Sequence, residues 1–586
     1  HLQTPDRRLA VAYEYRLGLW LYPRSIRNSP LHWPAGKHDG HRSGESTIAS
    51  IAAMAASSTT QRGVLDDLLL PFHMDIEKCH VLSQRFLANF AQLAAESREQ
   101  FLPTPISESI LRPVADRGHG RHLAIDIGGT NLRVGFVELL AKEASAPLEV
   151  NGIATNGHSN GHSNGHPPLV ATPSGRIQRL LEKSWPISNH LKNDNADSLF
   201  LWIGKCIAEV VDEGCRTLHI PSDRPLPLGV TFSFPADQRS LSEATITSMG
   251  KGFAIPSDVE LGARLQHGYD KFRTAHLPPV RVAAIANDAV STLVSFIFNY
   301  DGPAHRRATM GLILGTGSNA TVPLRLSHLH PSKRPQKVSV LPGQRAQDVK
   351  IAVNTEWSIN GTEPPMRELG LITPWDDALS AQNERPGFQP LEYMTAGRYL
   401  GELGRIMLLS YMTKTLGLSA DTLPPALLER HGLTTTFLSH FKPLEPAALV
   451  CKLRTEFPER TAKSQFTWSE PLAEALYGIA KAIETRAAAI MAAAILALLT
   501  LAEEIPAEGS TAKSEISELG VGYTGGCIVH FQDYLVDCQS FVDGMMAKRF
   551  GKGAPLRVAL SPCHDGGITG AGILAAAAQS SQKLET

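Results

Sequence analysis

The stretch LAIDIGGTNLRVGF, residues 123–136, decides the fold. Two short runs rich in Ile, Val and Leu, at 122–128 and 132–140, flank a Gly-Thr-Asn turn, and this pattern predicts a β-hairpin. Successive backbone N–H groups at such a turn form a concavity that binds phosphate oxygens. The residues that would serve a nucleotide here are Asp126, Gly128, Gly129, Thr130, Asn131 and Arg133, with Asp126 orienting a hydrated Mg²⁺. An ordinary glycine hairpin is the alternative interpretation.

Glycine turns recur after apolar strands in both halves of the chain: LILGTGSN at 312–319, VGYTGG at 521–526 and CHDGG at 563–567. This repetition predicts an α/β protein with two lobes, each a mixed sheet flanked by helices, and a ligand cleft between the lobes. A P-loop is excluded because GxxxxGK[ST] does not occur. A dinucleotide turn at 315–320 is excluded because a strand-like run follows it, where a helix is required.

Hydrophobic periodicity predicts the other elements. Helices are expected at 64–97, 391–412 and 471–499, strands at 228–235 and 280–288, and a second hairpin at 310–324, with FLPTP at 101–105 as a break. The Ala-rich run at 487–502 is too short to span a bilayer, so we interpret it as a buried core helix and predict no membrane span.

Composition limits the classes of function. The net charge of −1 gives no global field that would recruit nucleic acid, and we predict no nucleic-acid partner. Seven cysteines without a CxxC pair indicate reduced thiols rather than a disulfide framework or a zinc site. We therefore expect a cytoplasmic protein, with mitochondrial or nuclear association left open. A targeting segment near the first residues is an alternative to an unstructured extension.

The predicted organisation has four parts. Residues 1–62 form a disordered extension, 63–299 a small N-terminal lobe, 300–578 a large C-terminal lobe and 579–586 a tail. A low-complexity insert at 141–175 interrupts the small lobe and contains NGHSNGHSNGH at 156–166. Its three histidines suggest a metal site, but a solvated loop is the favoured interpretation.

Several segments, taken in chain order, resemble the hexokinase family. They are the phosphate hairpin at 123–136, LGVTFSFPADQRSLSEATITSMGKGF at 228–253, IANDAVSTL at 285–293, GLILGTGSNA at 311–320, NTEWS at 354–358, PGFQPLEYMTAGRYLGEL at 386–403 and TRAAAI at 485–490. The resemblance covers roughly residues 75 to 578 and is greatest to the atypical fungal branch. It implies the two-lobed actin-like ATPase fold, with ATP and Mg²⁺ as cofactors and a hexose as partner.

The resemblance also implies roles for individual residues. Asp288 would be the general base for the sugar 6-hydroxyl, and Lys251 would hold the sugar and place positive charge near the transferred phosphoryl group. The remaining sugar contacts would come from Ser233, Asn287, Asn319, Glu356 and Glu392. Thr316, Gly397 and Gly525 would join the hairpin residues in the nucleotide site. A helix cap is the alternative role of Asp288, and solvated surface carboxylates are the alternative for Glu356 and Glu392.

The chain departs from the family pattern in ways that matter for function. Gly250 stands where a sugar-contacting Thr is usual, and Ala289 and Ser358 replace a Thr and a Gly. In the late nucleotide turns Thr524 replaces an acid, and Gly526 and Gly567 replace hydroxyl residues. The primary hypothesis is therefore an ATP-dependent hexose kinase acting at the first step of hexose metabolism. The alternative is a weak or inactive sugar-sensing regulator with protein partners, and a third is a structural protein that binds neither ligand.

Overall fold

The computed structural model describes residues 63–586 except 109, 111–119, 141–175, 194, 248–252, 254, 301–304, 336–337, 339–344, 346–347, 442–444, 461–465, 507–514, 552–553 and 586. The predicted N-terminal extension, the NGH tract, Gly250 and Lys251 lie outside the described residues.

Thirteen strands form three sheets within the described ranges. They are β1 Leu102–Ser107, β2 Gly120–Ile127, β3 Asn131–Leu139, β4 Ile177–Pro186, β5 Leu226–Phe232, β6 Ala236–Gln238, β7 Ala244–Ile246, β8 Val280–Ala286, β9 Arg306–Leu314, β10 Ser318–Arg325, β11 Lys350–Asn354, β12 Glu518–Thr524 and β13 Arg557–Pro562. The predicted hairpins at 122–140 and 310–324 and the strands at 228–235 and 280–288 are all confirmed.

The helices lie between and after these strands. They are α1 Ile76–Glu96, α2 Asn189–Asn193, α3 Ala196–Thr217, α4 Leu261–Phe272, α5 Asp288–Tyr300, α6 Pro364–Glu368, α7 Pro374–Ala381, α8 Pro390–Thr395, α9 Gly397–Ser410, α10 Pro425–Leu428, α11 Thr435–Ser439, α12 Pro446–Glu456, α13 Glu470–Leu501, α14 Gly526–His530, α15 Tyr534–Phe550 and α16 Gly566–Glu585. A π-helical turn at Tyr411–Thr415 follows α9, and 3₁₀ turns lie at Leu70–Phe72, Leu326–His328, Pro331–Lys333 and Ala420–Thr422.

The two large sheets repeat one topology. The five-stranded sheet has the order β4-β3-β2-β5-β8, in which β2, β3 and β4 form an antiparallel meander and β5 and β8 add in parallel. The six-stranded sheet has the order β1-β11-β10-β9-β12-β13, with β9, β10 and β11 as the meander and β12 and β13 in parallel. The duplicated architecture expected from the repeated glycine turns, a mixed sheet in each lobe flanked by helices, is therefore confirmed.

Two segments connect the sheets against chain order. Strand β1, from the N-terminal half, pairs with β11 at the edge of the six-stranded sheet. The last helix, α16, packs against β2, β5 and β8 of the five-stranded sheet and against α5. The lobe boundaries given above remain a prediction, but each lobe contains a segment from the other half of the chain.

Strand β1 corrects one expectation. FLPTP was expected to be only a break, yet Leu102 begins a strand that pairs antiparallel with Asn354 of β11. Proline is tolerated because β1 is an edge strand, where a missing N–H need not face a partner. Thr104 adds a side-chain bond, its Oγ1 donating to the Ala352 carbonyl oxygen at 2.7 Å.

The predicted helix at 391–412 is interrupted. Ala396, with an extended backbone at φ −101° and ψ 152°, separates α8 from α9. Helix α13, by contrast, is one continuous element of 32 residues. By length and composition it could cross a membrane, but 89% of its most apolar window is buried inside the protein, as expected for a core helix.

Candidate active site

The predicted base, Asp288, lies at the first position of α5, directly after β8. The side-chain Oδ1 atoms of Asp288 and Asn287 each lie 2.9 Å from the Ala289 N–H, which donates to them. Because Asp288 is already the first helical residue, Asn287 rather than Asp288 holds the helix-cap position. The Asp288 carboxylate lies at the end of a parallel strand, where ligands of open α/β sheets bind.

A row of amides leads from this position to a buried carboxylate. The Asn319 Nδ2 group contacts Asn287 Oδ1 at 3.4 Å, Asn354 Oδ1 at 2.8 Å and Glu356 Oε1 at 3.2 Å. The Asn354 Nδ2 group also donates to Glu356 Oε1, at 2.8 Å. The structure thus joins three predicted sugar residues, Asn287, Asn319 and Glu356, with Asn319 at the centre, and it adds Asn354 to them. We call these four side chains the polar row.

Sequence reasoning missed Asn354. It lies within the quoted NTEWS segment, but nothing in its type or spacing separates it from a strand-end residue. Only the register of β10 and β11, which places Thr321 opposite Asn354, brings it next to Asn319.

Glu356 is fixed in an unusual backbone conformation. Its φ is +44°, in the left-handed region that non-glycine residues rarely adopt, and only 8% of its surface is exposed. The Glu356 N–H donates to Asn319 Oδ1 at 3.1 Å, and its carbonyl accepts from Gln100 Nε2 at 3.2 Å. A solvated surface carboxylate is therefore excluded, and strain of this kind is typical of functional sites.

Glu392 is also buried, at 9% exposure, on helix α8. Its Oε2 accepts the Ser318 N–H at 3.0 Å. A Cβ atom at Gly317 would lie 2.8 Å from the same oxygen, so a side chain at this point would displace the Glu392 carboxylate. Glu392 thus belongs to the strand-end region that carries Asn319.

Ser233 and Lys251 complete the set of predicted sugar residues. Ser233 is half-buried, and its N–H donates to the Ile127 carbonyl at 3.1 Å, beside the phosphate hairpin. Lys251 lies outside the described residues. A cavity of about 20 Å³ is lined by Asn287, Asn354 and Phe232, and it has room for about one water molecule rather than a sugar.

The phosphate hairpin has the predicted turn. The Gly128 N–H donates to the Asn131 carbonyl at 3.0 Å, and Thr130 and Asn131 are exposed at its tip. Asp126 and Arg133 face each other across β2 and β3, with Arg133 Nη2 2.7 Å from Asp126 Oδ2. The hairpin therefore combines exposed donors with an anchored carboxylate.

The electrostatics of Asp126 link this hairpin to the base. Burial raises the pKa of Asp126, and the Arg133 guanidinium opposes that rise. The charges of Asp288 and Asp565 raise the pKa of Asp126 further, so each of these two carboxylates lies close enough to Asp126 to repel its negative charge. No cluster of three or more His, Cys, Asp or Glu able to hold a metal occurs among the described residues. Asp126, a carboxylate anchored by Arg133, fits the expected role of orienting a hydrated Mg²⁺ without a direct bond to it.

Three predicted nucleotide residues meet at a second turn. The Gly397 N–H, freed by the break between α8 and α9, donates to the Gly315 carbonyl at 2.8 Å, and the Arg398 N–H donates to the Thr316 carbonyl at 3.2 Å. Gly525 has φ +124°, and a Cβ atom there would lie 2.3 Å from the Leu314 carbonyl oxygen. Glycine is therefore obligatory where the two turns contact each other.

The glycines that replace hydroxyl residues differ in their surroundings. A Cβ atom at Gly567 would lie 2.5 Å from Asp126 Oδ2, so a side chain there would displace the Asp126 carboxylate. At Gly526 the nearest atom to such a Cβ is His530 Cδ2 at 3.9 Å, so the position has space for serine. The absence of a hydroxyl side chain at Gly567 therefore depends on the position of Asp126, whereas at Gly526 the fold leaves space for a hydroxyl side chain.

The duplicated sheets, the strand-end carboxylate and the facing glycine turns define a two-lobed phosphotransferase of the actin-like ATPase class. Two models of the hexokinase family match residues 64–298 and 309–577. The chain therefore belongs to the hexokinase family, whose members are sugar kinases with an alcohol group as acceptor.

Individual relatives agree with this assignment. Hexokinase-2 of Solanum tuberosum is 26% identical over 470 residues, which span 79% of this chain and 80% of that protein. The hexokinase of Kluyveromyces lactis is 29% identical over 294 residues, spanning 50% of this chain and 49% of that protein. The solved structure of Schistosoma mansoni hexokinase complexed with glucose superposes with a TM-score of 0.65 at 22% identity, covering 89% of this chain and 99% of that one. This last likeness establishes the fold.

Proposed function

We propose that this protein transfers the γ-phosphoryl group of ATP, as its Mg²⁺ complex, to the 6-hydroxyl of a hexose. The observation that carries the proposal is the polar row next to Asp288, with Asp126 close enough to Asp288 for the charge of Asp288 to raise the pKa of Asp126. A polyol needs acceptors and bifunctional amides, and the row supplies both. The exposed Thr130 and Asn131 side chains at the tip of the phosphate hairpin supply donors for the nucleotide.

The proposed step needs a general base for the sugar hydroxyl and groups that neutralise the charge of the transferred phosphoryl group. Asp288 accepts the proton of the sugar 6-hydroxyl while that oxygen bonds to the γ-phosphorus. The bond between the γ-phosphorus and the bridging oxygen breaks, and ADP leaves with the electron pair. Asn287, Asn319, Glu356 and Glu392 hold the other hydroxyls, which keeps the 6-hydroxyl in line.

The test is a coupled assay for ADP production with glucose, fructose and mannose as separate acceptors. We expect turnover with at least one hexose, and Asp288→Ala to reduce it by about a hundredfold or more, the usual contribution of a positioned base. Asp288→Ala with unchanged sugar phosphorylation would remove Asp288 from the mechanism. No turnover by the unaltered protein with any of the sugars would contradict the kinase proposal itself.

A second candidate function is a sugar-sensing regulator with weak or no turnover. The contacts of the predicted nucleotide residues favour it, because protein groups already occupy them. Gly567 packs against Asp126, and Arg133 forms ion pairs with Asp126 and Asp565. Isothermal titration of glucose without ATP separates the two functions. Binding without turnover supports the regulator, and absence of both supports the structural alternative.

A further inference from the structure

Two arginines share one carboxylate next to the phosphate hairpin. Arg133 Nη1 lies 2.6 Å from Asp565 Oδ1, and Arg179 Nη2 lies 3.1 Å from Asp565 Oδ2. The other nitrogen of the Arg133 fork contacts Asp126. Each oxygen of Asp565 therefore faces a different guanidinium group, one on β3 and the other on β4.

Arg179 is not among the nucleotide residues predicted from the sequence. Its Nη1 donates to Glu182 Oε2 at 3.0 Å on the same strand, which fixes the direction of the fork. The side chain is 19% exposed, and its Nε is buried without a hydrogen-bond partner among the described residues. Because most of the Arg179 side chain is buried, its neighbours fix the direction of the guanidinium group, unlike that of an arginine exposed to solvent.

Asp565 occupies a place that suits a larger anion. Guanidinium forks bind carboxylates and phosphates with the same paired geometry. Asp565 has a left-handed backbone, φ +56°, is one-third exposed, and directly precedes α16. The first N–H groups of that helix add partial positive charge at the same point. The carboxylate is thus held by charge on an accessible, strained segment from which a phosphate could displace it.

We propose that Arg179 is a further phosphate-binding residue of the nucleotide site, and that Asp565 holds Arg133 and Arg179 in place until a nucleoside di- or triphosphate displaces it. The inference rests on the proposed function, because it assigns the ligand of the same cleft. It also explains how the site compensates for the hydroxyls missing at Gly526 and Gly567: a second guanidinium supplies donors that those positions lack.

The test measures ADP binding by isothermal titration in the presence of Mg²⁺, with AMP as the ligand that lacks the second phosphate. Arg179→Gln should weaken ADP binding roughly tenfold, the loss expected for a charged hydrogen bond, and weaken AMP binding less. Asp565→Asn should tighten ADP binding, because it removes a competing anion. Arg121→Gln is the matched control, since Arg121 pairs with Glu138 in the same sheet at 3.0 Å; it should leave ADP affinity unchanged.

The proposal predicts opposite changes in ADP affinity for the Arg179 and Asp565 variants, whereas a purely structural salt bridge does not. If the Arg179 and Asp565 variants both weaken ADP binding, or neither changes it, the pair is structural and the proposal is wrong. Should Arg179→Gln fail to fold, Arg179→Lys keeps the charge but loses the fork, and unaltered ADP affinity in it would overturn the proposal. Failure of the kinase proposal is a separate result, because ADP can bind to a protein that turns over no sugar.

Discussion

Replacing Asn354 tests whether the polar row acts as a unit. Asn354 is 4% exposed; it donates to Glu356 Oε1 and accepts from Asn319 Nδ2, both at 2.8 Å. Asn354→Ala removes two hydrogen bonds, one to the Glu356 carboxylate and one from the Asn319 amide, which together contribute about 2–4 kcal/mol. A water molecule in the neighbouring cavity can replace part of the lost hydrogen bonding. We therefore expect the variant to lose about 2 kcal/mol of sugar-binding free energy, which weakens sugar affinity roughly thirtyfold.

Glucose titration calorimetry and a thermal melt measure this effect, with Thr104→Val as the control. Thr104 Oγ1 donates to Ala352 on β11, the strand that carries Asn354, without touching the row. We expect Asn354→Ala to raise the sugar Kd and KM much more than it lowers kcat, because Asp288 is untouched. The control should lower only the melting temperature. A sugar Kd for Asn354→Ala within about twofold of the unaltered protein would refute the argument, since that is a difference of only about 0.4 kcal/mol.

Three further predictions follow from other parts of the molecule. Gly526→Ser should tighten ADP binding severalfold, about one hydrogen bond, because the position is open, whereas Gly567→Ser should weaken it and lower the melting temperature by displacing Asp126; equal effects in titrations would contradict this. Burial, followed by the charges of Asp537 and Asp533, raises the pKa of Glu484 from 4.5 to about 8 against the opposing Lys481. Between these two pKa values the folded protein keeps a proton that the unfolded chain releases, so the stability of the protein should fall as the pH rises from 4.5 to about 8. Glu484→Gln should reduce this fall when melting temperatures are measured across the pH range. An unchanged pH dependence of the melting temperature would exclude Glu484 as its source. Iodoacetamide should label exposed Cys451 first, as mass spectrometry of peptides would detect, because burial raises the pKa of Cys527 and of Cys563 to about 12; early labelling of either would contradict the packing.

The hairpins and the core helix could be predicted because local pattern determines them. Alternating apolar residues around a glycine turn identify β2 and β3 without any knowledge of the rest of the chain. The strand in FLPTP could not be predicted, since prolines normally argue against strands and only the edge position of β1 permits them. The break at Ala396 was also missed, because the helical period continues on both sides of it.

The candidate site divides in the same way. Asp288, Asn319 and Glu356 carry recognisable motifs, and the structure brings Asn319 and Glu356 together with Asn287 next to the base. Asn354 and Arg179 were not predicted, because their importance depends on cross-strand register and on a contact between β4 and the segment before α16. Such long-range contacts have no local signal in a single sequence. The roles of all the predicted site residues, Ser233 and Lys251 among them, remain predictions.

The exchange of β1 and α16 between the sheets bears on how this chain can be divided. A fragment cut near residue 299 would carry β1 without its partner β11, leaving a row of unpaired backbone groups open to association with other chains. The same fragment would lack α16, so the apolar face of β2, β5 and β8 would lie bare to solvent. We therefore expect that neither half of the chain folds alone, and that a split version of this protein assembles only when both halves are co-expressed.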